Sequence, residues 1–452
     1  MTCATGIIRL ITAMTSRHET RRRLFFAFVH LIGFFIVYRL GADVLADIAC
    51  RSGGRSALDI ASIGAPGNAR VLYELALKSH YSLASPGLDK AIGLYRRAVG
   101  RDPFYAPAWY QMALACRLAG KNRDADAAIS RYEMLRNSYE ADLWNIGIFR
   151  LEAGEEDQAA ACFRRCIELR PDSEAGVSGL FLIMNTPQNY MVQKVLPRTT
   201  EAYSGYMDYL LGSGMANEAL SFFRLSQGLV GTDRSASLCR LLISDGRYDE
   251  AWDFWRRFLG GAASTGTGGT ADGGTVIING GFEGPLEERE ETCFGWMARQ
   301  ERGFDFSYDG NIRTEGKRSL HIGFDGSRGP GLWLWQYIRV VPNRSYELKA
   351  DIRTRGIKTA SGIYLEVRSR ACGGYHERSA ALRGTGDWRE LSLAFRAPDG
   401  CRLIKAGIAR DSALKLDRPA PSDAWVDDIR ISVLQPGSGT WKTKMFKEEK
   451  KL

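Results

Sequence analysis

The sequence predicts a multidomain chain that runs from α to β, with an N-terminal transmembrane helix, an α-helical repeat superhelix and a C-terminal antiparallel β-sandwich. Three observations carry this. An apolar run opens at Leu24, residues 72–173 repeat in phase, and beyond a Gly-rich stretch at 260–274 the hydrophobic spacing drops from helical to alternating. At 452 residues the chain is too long for one ordinary core, and its 45% hydrophobic content is enough for each part to bury one.

The first element is the run LFFAFVHLIGFFIVY, which extends through Leu40 to Ala46 with Arg39 snorkelling to the interface. Arg17, Arg21, Arg22 and Arg23 precede it and Asp43 and Asp47 follow it. That charge asymmetry makes residues 1–23 a cytoplasmic basic segment and residues 24–46 a single-pass anchor in a bacterial inner membrane. Everything after about residue 46 then lies on the periplasmic or extracellular side. A cleaved signal peptide, with Val44 and Ala46 as the small residues before the cut, is the competing reading.

Residues 72–105, 106–139 and 140–173 align without gaps. Ala91, Ala125 and Ala159 share one position, Tyr95, Ile129 and Phe163 another, and Pro86, Gly120 and Gly154 mark the turn inside each unit. Pro103, Asn137 and Pro171 close the units, and Trp109 opens a helix. Two further units with altered spacing supply Gly214, Ala219 and Phe223, then Gly246, Ala251, Trp255 and Phe258; residues 174–199 keep only part of the pattern. Residues 68–260 resemble the tetratricopeptide repeat family, whose period is about 34 residues. The resemblance implies stacked helix pairs curving around a groove that holds a protein partner. A simple spacer is the alternative. His80 is the array's only histidine, and no residue in it reads as catalytic.

Residues 260–274, GGAASTGTGGTADGG, hold nothing that packs and form the linker. After it, SLHIGFD, WLWQYIRVV, YELKADIRT, IYLEVRS, RELSLAFRAP and AWVDDIRISVL read as strands parted by turn residues. Eight or nine such segments are expected, in a sandwich of jelly-roll type. The motifs NGGFE (279–283), FGW (294–296), EGKRSLHI, WQYIRVVPNRSYELKADIRT, WRELSLAFRAP and WVDDIRI, in that order, resemble carbohydrate-binding modules with a galactose-binding-like jelly-roll fold, of the type fused to bacterial xylanases and cellulases. The resemblance covers residues 275–435, and a charged tail, 436–452, follows.

Alternation along these strands places Gln336, Ile338 and Val340, Leu348, Ala350 and Ile352, and Ile363, Leu365 and Val367 on the core face. The other face receives Trp333, Trp335, Tyr337 and Arg339 beside Lys349, Asp351, Arg353, Tyr364, Glu366 and Arg368. Rings that stack on the C–H patches of a pyranose, flanked by groups that bond its hydroxyls, are what a sugar cleft requires. Trp333, Trp335, Tyr337, Arg339, Tyr364 and Glu366 are therefore the candidate carbohydrate-binding residues. Rings packed under a loop are the alternative.

The same parity argument carries Asp427 to the core face with Ile429, Ile431 and Val433, where an ionised carboxylate needs a partner. The resemblance implies a structural calcium there, held by the Gly281 carbonyl, the Glu283 carboxylate and Asp427. Backbone amides or an Arg are the other way to satisfy Asp427.

The remaining composition mostly excludes. Net charge is +9, but its Arg residues are scattered among nearly as many carboxylates, with no basic block to track a phosphate backbone, so nucleic acid is not an expected partner. The nine Cys form no CxxC pair; Cys162 and Cys166 read as small core residues, and Cys372 and Cys401 could pair in an oxidising compartment. No carboxylate pair or GxSxG stands out, and with five His the chain reads as a non-enzyme. The expected function is a glycan-binding adaptor in extracellular polysaccharide assembly or export. A scaffold without sugar binding and an accessory subunit of a glycoside hydrolase are the alternatives.

Overall fold

The computed structural model describes residues 2–52, 55–82, 87–259, 276–284, 286, 293–298, 303–327, 331–358, 361–412 and 420–434, with side chains from Arg23 onward except at a few helical positions. The linker 260–274, the tail 436–452 and Pro86 lie outside these residues. The chain forms two compact units, Met1–Val177 with Gln193–Pro197, and Ser178–Val192 with Arg198–Leu452.

In the first unit, α1 (Thr2–Ser52) contains Phe25–Ile48, long and apolar enough to cross a membrane or to serve as a signal sequence. Helix α2 is Arg55–Gly64 and α3 is Ala69–His80. The end of α1 packs Ala46 against Ala61, Ala65 and Val71. Asp43 accepts from Asn68 at 3.1 Å, and Asp47 pairs with Arg70. Asn68 also caps α3 by accepting from the Arg70 and Val71 amides.

Three helical hairpins follow: α3 with α4 (Leu88–Arg101), α5 (Ala106–Leu118) with α6 (Asn122–Arg136), and α7 (Glu140–Glu152) with α8 (Glu156–Leu169). Ala91, Ala125 and Ala159 are fully buried, as are Tyr95, Ile129 and Phe163. The small residue lets the two helices approach, and the ring fills the gap one turn on. Gly120 and Gly154 sit at φ 71° and 77°, the left-handed conformation that ends a helix without a Cβ penalty.

The degenerate stretch holds α9 (Glu174–Ile183), the short α10 (Gln188–Tyr190) and a π-turn at Met191–Val195. The second unit then has α11 (Thr200–Gly212), α12 (Ala216–Leu225), α13 (Thr232–Ser244) and α14 (Tyr248–Phe258). Ala219, Ala251 and Trp255 are buried as their repeat positions require, while Phe258 is 45% exposed.

Among the described residues ten strands make the sandwich: β1 (Met297–Ala298), β2 (Phe304–Asp309), β3 (Ser319–Phe324), β4 (Leu332–Arg339), β5 (Ser345–Ile357), β6 (Ile363–Ser369), β7 (Tyr375–Arg378), β8 (Gly384–Arg396), β9 (Leu403–Arg410) and β10 (Ser422–Val433). They form two antiparallel sheets, ordered β1-β4-β9-β6-β7 and β2-β3-β10-β5-β8. Leu334, Ile338, Leu348, Ala350, Ile352, Leu365 and Val367 meet in the core between them. Gln336 is also fully buried; its amide bonds the Ile278 N–H and C=O and so satisfies both of its polar ends. A Cys372–Cys401 disulfide ties the turn after β6 to the approach to β9.

Two sequence expectations change here. Lys349, Asp351 and Arg353 do not lie beside the Trp residues: β5 belongs to the other sheet, and β9 is the strand between β4 and β6. Asp427, although fully buried, is not on the core face. A bulge between Asp427 and Arg430 flips the parity of β10, so Ala424 and Val426 face the core before it and Ile429 and Ile431 after it. Asp427 pairs in register with Asp351 on the outer face.

Candidate functional site

The outer face of the β4-β9-β6 sheet is built across three strands in register. Trp333 lies opposite Ala409 and then Tyr364, Trp335 opposite Gly407 and then Glu366, and Tyr337 opposite Lys405 and then Arg368. The middle strand contributes almost no side chain in the first two rows. The result is a trough with a floor of Gly407 and Ala409, one wall of indoles and one of Tyr364 and Glu366. Gly407 is required: a Cβ there would lie 2.0 Å from the Leu334 carbonyl oxygen.

Trp333 and Trp335 stack with centroids 5.0 Å apart at 25°, and Tyr337 meets Trp335 edge-on at 5.0 Å. Across the trough, the Tyr364 hydroxyl donates to Asp411 Oδ1 at 2.7 Å. Burial, with Asp411 beside it, pushes the Tyr364 phenol up, so it stays a proton donor. Glu366, 6% exposed, is held by His376 Nε2 at 2.7 Å. The Trp333 indole N–H is buried and has no hydrogen-bond partner among the described residues. These groups line a cavity of about 670 Å³, whose opposite wall is Arg240, Ile243 and Ser244 of α13.

Lys405 lies over the aromatic row, its Nζ 3.7 Å from the Trp335 centroid, 5.0 Å from Tyr337 and 5.5 Å from Trp333. Burial, reinforced by Arg368 and Arg370, brings its pKa down from 10.5 to about 8. The Arg368 guanidinium lies over the Trp333 ring, 2.8 Å from its centroid.

Five of the six predicted carbohydrate-binding residues, Trp333, Trp335, Tyr337, Tyr364 and Glu366, thus line one cavity. Arg339 goes elsewhere. It pairs with Asp249 at 2.8 Å and lies over Trp252 at 4.9 Å, because α14 packs on that end of the face through Phe294, Trp252 and Trp255. Gly407, Ala409, Lys405 and the α13 wall escaped the sequence reading. The small residues alternating in KAGIA were the available signal for the floor. The α13 contact, made across the linker, had none.

The other predicted cluster also converges, on the loop 313–318. Asp427 Oδ2 accepts from the Thr314 N–H at 2.8 Å, the Thr314 hydroxyl at 3.0 Å and the Glu315 N–H at 3.2 Å. Its Oδ1 accepts from the Asp428 N–H at 2.9 Å. Glu283 Oε1 accepts from the Lys317 and Arg318 amides at 2.7 and 3.3 Å. A Cβ on Gly281 would lie 3.9 Å from Asp427 Oδ1, so Gly281 neighbours that carboxylate. Amide donors already answer the desolvation of Asp427. Among the described residues no group of three or more His, Cys, Asp or Glu is placed to hold a metal ion.

No protein-family model matches the chain, and no curated protein matches it. Among solved structures, a family 16 carbohydrate-binding module is 19% identical over 34% of this chain and 97% of its own, with a TM-score of 0.25. A CBM22-1 xylan-binding domain from Paenibacillus barcinonensis is 18% identical over 33% and 91%, with a TM-score of 0.24. MamA is 18% identical over 43% and 89%, also with a TM-score of 0.24. These are likenesses of fold alone.

Proposed function

We propose that the protein is a membrane-anchored, exported glycan-binding adaptor, whose sandwich holds carbohydrate and whose helical hairpins dock a protein partner, in the assembly or export of an extracellular polysaccharide. The trough carries this reading. A glycine and alanine floor between stacked indoles and a Tyr364/Glu366 wall leaves room for a sugar ring against an aromatic surface, with hydroxyl-bonding groups opposite. The orphan Trp333 N–H supplies a donor for a ligand to satisfy.

The reading is of binding and not of catalysis: the trough's carboxylates, Glu366 and Asp411, already accept from His376 and Tyr364. Export is supported by the apolar helix Phe25–Ile48 and by the Cys372–Cys401 disulfide, a bond that persists in oxidising compartments. Calcium remains part of the proposal. Glu283 Oε1 and both oxygens of Asp427 are engaged by N–H and O–H donors, so calcium would be held by the Gly281 carbonyl and Glu283 Oε2 and would share Asp427 Oδ1 with the Asp428 N–H.

The test is a glycan array probed with the detergent-solubilised chain and with its Trp335→Ala variant. Retention of polysaccharide fragments by the parent and their loss in the variant is the expected result. Equal signals from both, or none from the parent, would leave a protein scaffold as the better reading.

A further inference from the structure

Beside the trough lies a second cavity of about 470 Å³, and the two share Trp333, Tyr337 and Arg368 as a common wall. Their charges differ. The first holds Glu366 and Asp411 among its cations, whereas the second is lined by Arg368, Arg370 and Lys405 with no carboxylate among the described residues.

Lys405 is the key to this chamber. Its ammonium is surrounded by three aromatic rings and has no oxygen acceptor or carboxylate partner among the described residues. The carboxylate nearest to the cluster, Glu366, is taken by His376 and stands 3.9 Å from Arg368 Nε. Rings relieve part of the desolvation of a half-buried ammonium, but charge-assisted hydrogen bonds to an anion are the stronger partner, and none of the described residues supplies one to Lys405. Arg368 and Arg370 beside it add to the positive charge around the chamber.

We infer that the second chamber receives the anionic group of an acidic glycan, a carboxylate, sulfate or phosphate borne by a sugar whose neighbouring ring occupies the Trp333/Trp335 trough. This rests on the glycan-binding reading and adds its substrate class. The shared indole wall fixes the relation between the two: one sugar unit lies on the small-residue floor and the next presents its charge to Lys405, Arg368 and Arg370. Neutral chains would offer the ammonium hydroxyl oxygens but no opposite charge.

The test uses the detergent-solubilised full chain against a panel of uronic-acid oligosaccharides, each paired with its carboxyl-reduced neutral counterpart, together with sulfated and phosphorylated neutral oligosaccharides. The acidic member of a pair should bind about tenfold or more tightly than the neutral one, since a hydrogen bond to a charged group is worth that much. The preference should shrink as salt is raised. Lys405→Met should erase the difference between acid and neutral members, and Lys405→Arg, which restores a cation, should keep it. Sulfated or phosphorylated chains bound in place of uronates would support the anion site and identify its source. Neutral chains bound as tightly as acidic ones, or a preference untouched by Lys405→Met, would overturn the inference and leave the sugar reading standing. Retention of no saccharide of any kind would overturn both.

Discussion

Arg339 and Asp249 form an ion pair, Nη1 to Oδ1 at 2.8 Å, that joins the end of strand β4 to helix α14. The sequence placed Arg339 on the sugar face, which is where its strand position puts it, but the helix arrives there first. Asp249 is 75% exposed, so the pair contributes at most about 1 kcal/mol, with a similar amount from the guanidinium over Trp252. Arg339→Ala should therefore lower stability by about 1–2 kcal/mol in denaturant titration and leave glycan retention as in the parent. Trp335→Ala should do the reverse. Loss of retention in Arg339→Ala would return this residue to the site.

That contrast shows what the sequence could and could not convey. Strand alternation is a local property, so WLWQYIRV sorted its own two faces correctly, and Gln336 proved to be a satisfied core amide. Repeats in phase likewise announced the buried Ala91, Ala125 and Ala159. Neighbours are not local. LIKAGIAR lacks the β-branched and aromatic density of its partners, so β9 went unread and β5 was set beside β4 in its place. The bulge at Asp427 was hidden for a similar reason: one extra residue flips parity without changing composition.

Lys405 makes stability depend on pH. Its pKa is about 8 in the folded chain and near 10.5 when unfolded, because burial and the arginines Arg368 and Arg370 disfavour the charge. The other titratable groups around it are Tyr337 on β4 and Tyr248 on α14, with Glu366 next to Arg368. Below pH 8 the ammonium is charged in both states and its destabilisation is fully present. Between pH 8 and 10.5 the folded chain releases the proton while the unfolded chain keeps it, so stability from this group rises. The melting-temperature advantage of Lys405→Met over the parent should be largest below pH 8 and shrink toward pH 10.5. A difference that stays flat across that range would contradict the assignment.

Asp427 holds a loop, and its removal should be felt there. Asp427→Ala deprives the Thr314, Glu315 and Asp428 N–H groups and the Thr314 hydroxyl of their acceptor, at a cost of about 2–4 kcal/mol, tempered because the loop reaches water. Amide exchange should accelerate at residues 314–318 before it does elsewhere in the sandwich. If calcium also binds there, millimolar calcium raises the parent's melting temperature over that in chelator, and Asp427→Ala loses the increment. Identical curves in both media would confine the corner to its amide donors.

The Cys372–Cys401 bridge closes a loop with a sequence separation of 29 residues. By chain entropy that restricts the unfolded state by about 3–4 kcal/mol. Thermal melts with and without a reducing agent should differ by that amount, and the Cys372→Ser, Cys401→Ser double variant should melt like the reduced parent and be indifferent to reductant. Equal melting of oxidised and reduced parent would show that the bridge adds no stability.

The packing at the end of α1 favours a retained anchor over a cleaved leader. A processing site near Val44 and Ala46 would have to be presented as accessible chain. Ala46 is instead 1% exposed, buried against Ala61, Ala65 and Val71, while Asp43 and Asp47 on the same stretch of helix are engaged by Asn68 and Arg70. Cutting there would remove Asp43 from the Asn68 that caps α3, take Ala46 away from Ala61, Ala65 and Val71, and leave a new charged amine at Asp47. We expect the segment to be retained. The mature protein should carry the residues of 24–46 by N-terminal sequencing or intact mass, partition with membranes, and be released by detergent but not by high salt or carbonate. A periplasmic reporter fused after Leu452 should be active. A mature chain that begins at Asp47 and appears in the soluble fraction would show that the apolar run is a leader, and that the helix end docks only before processing.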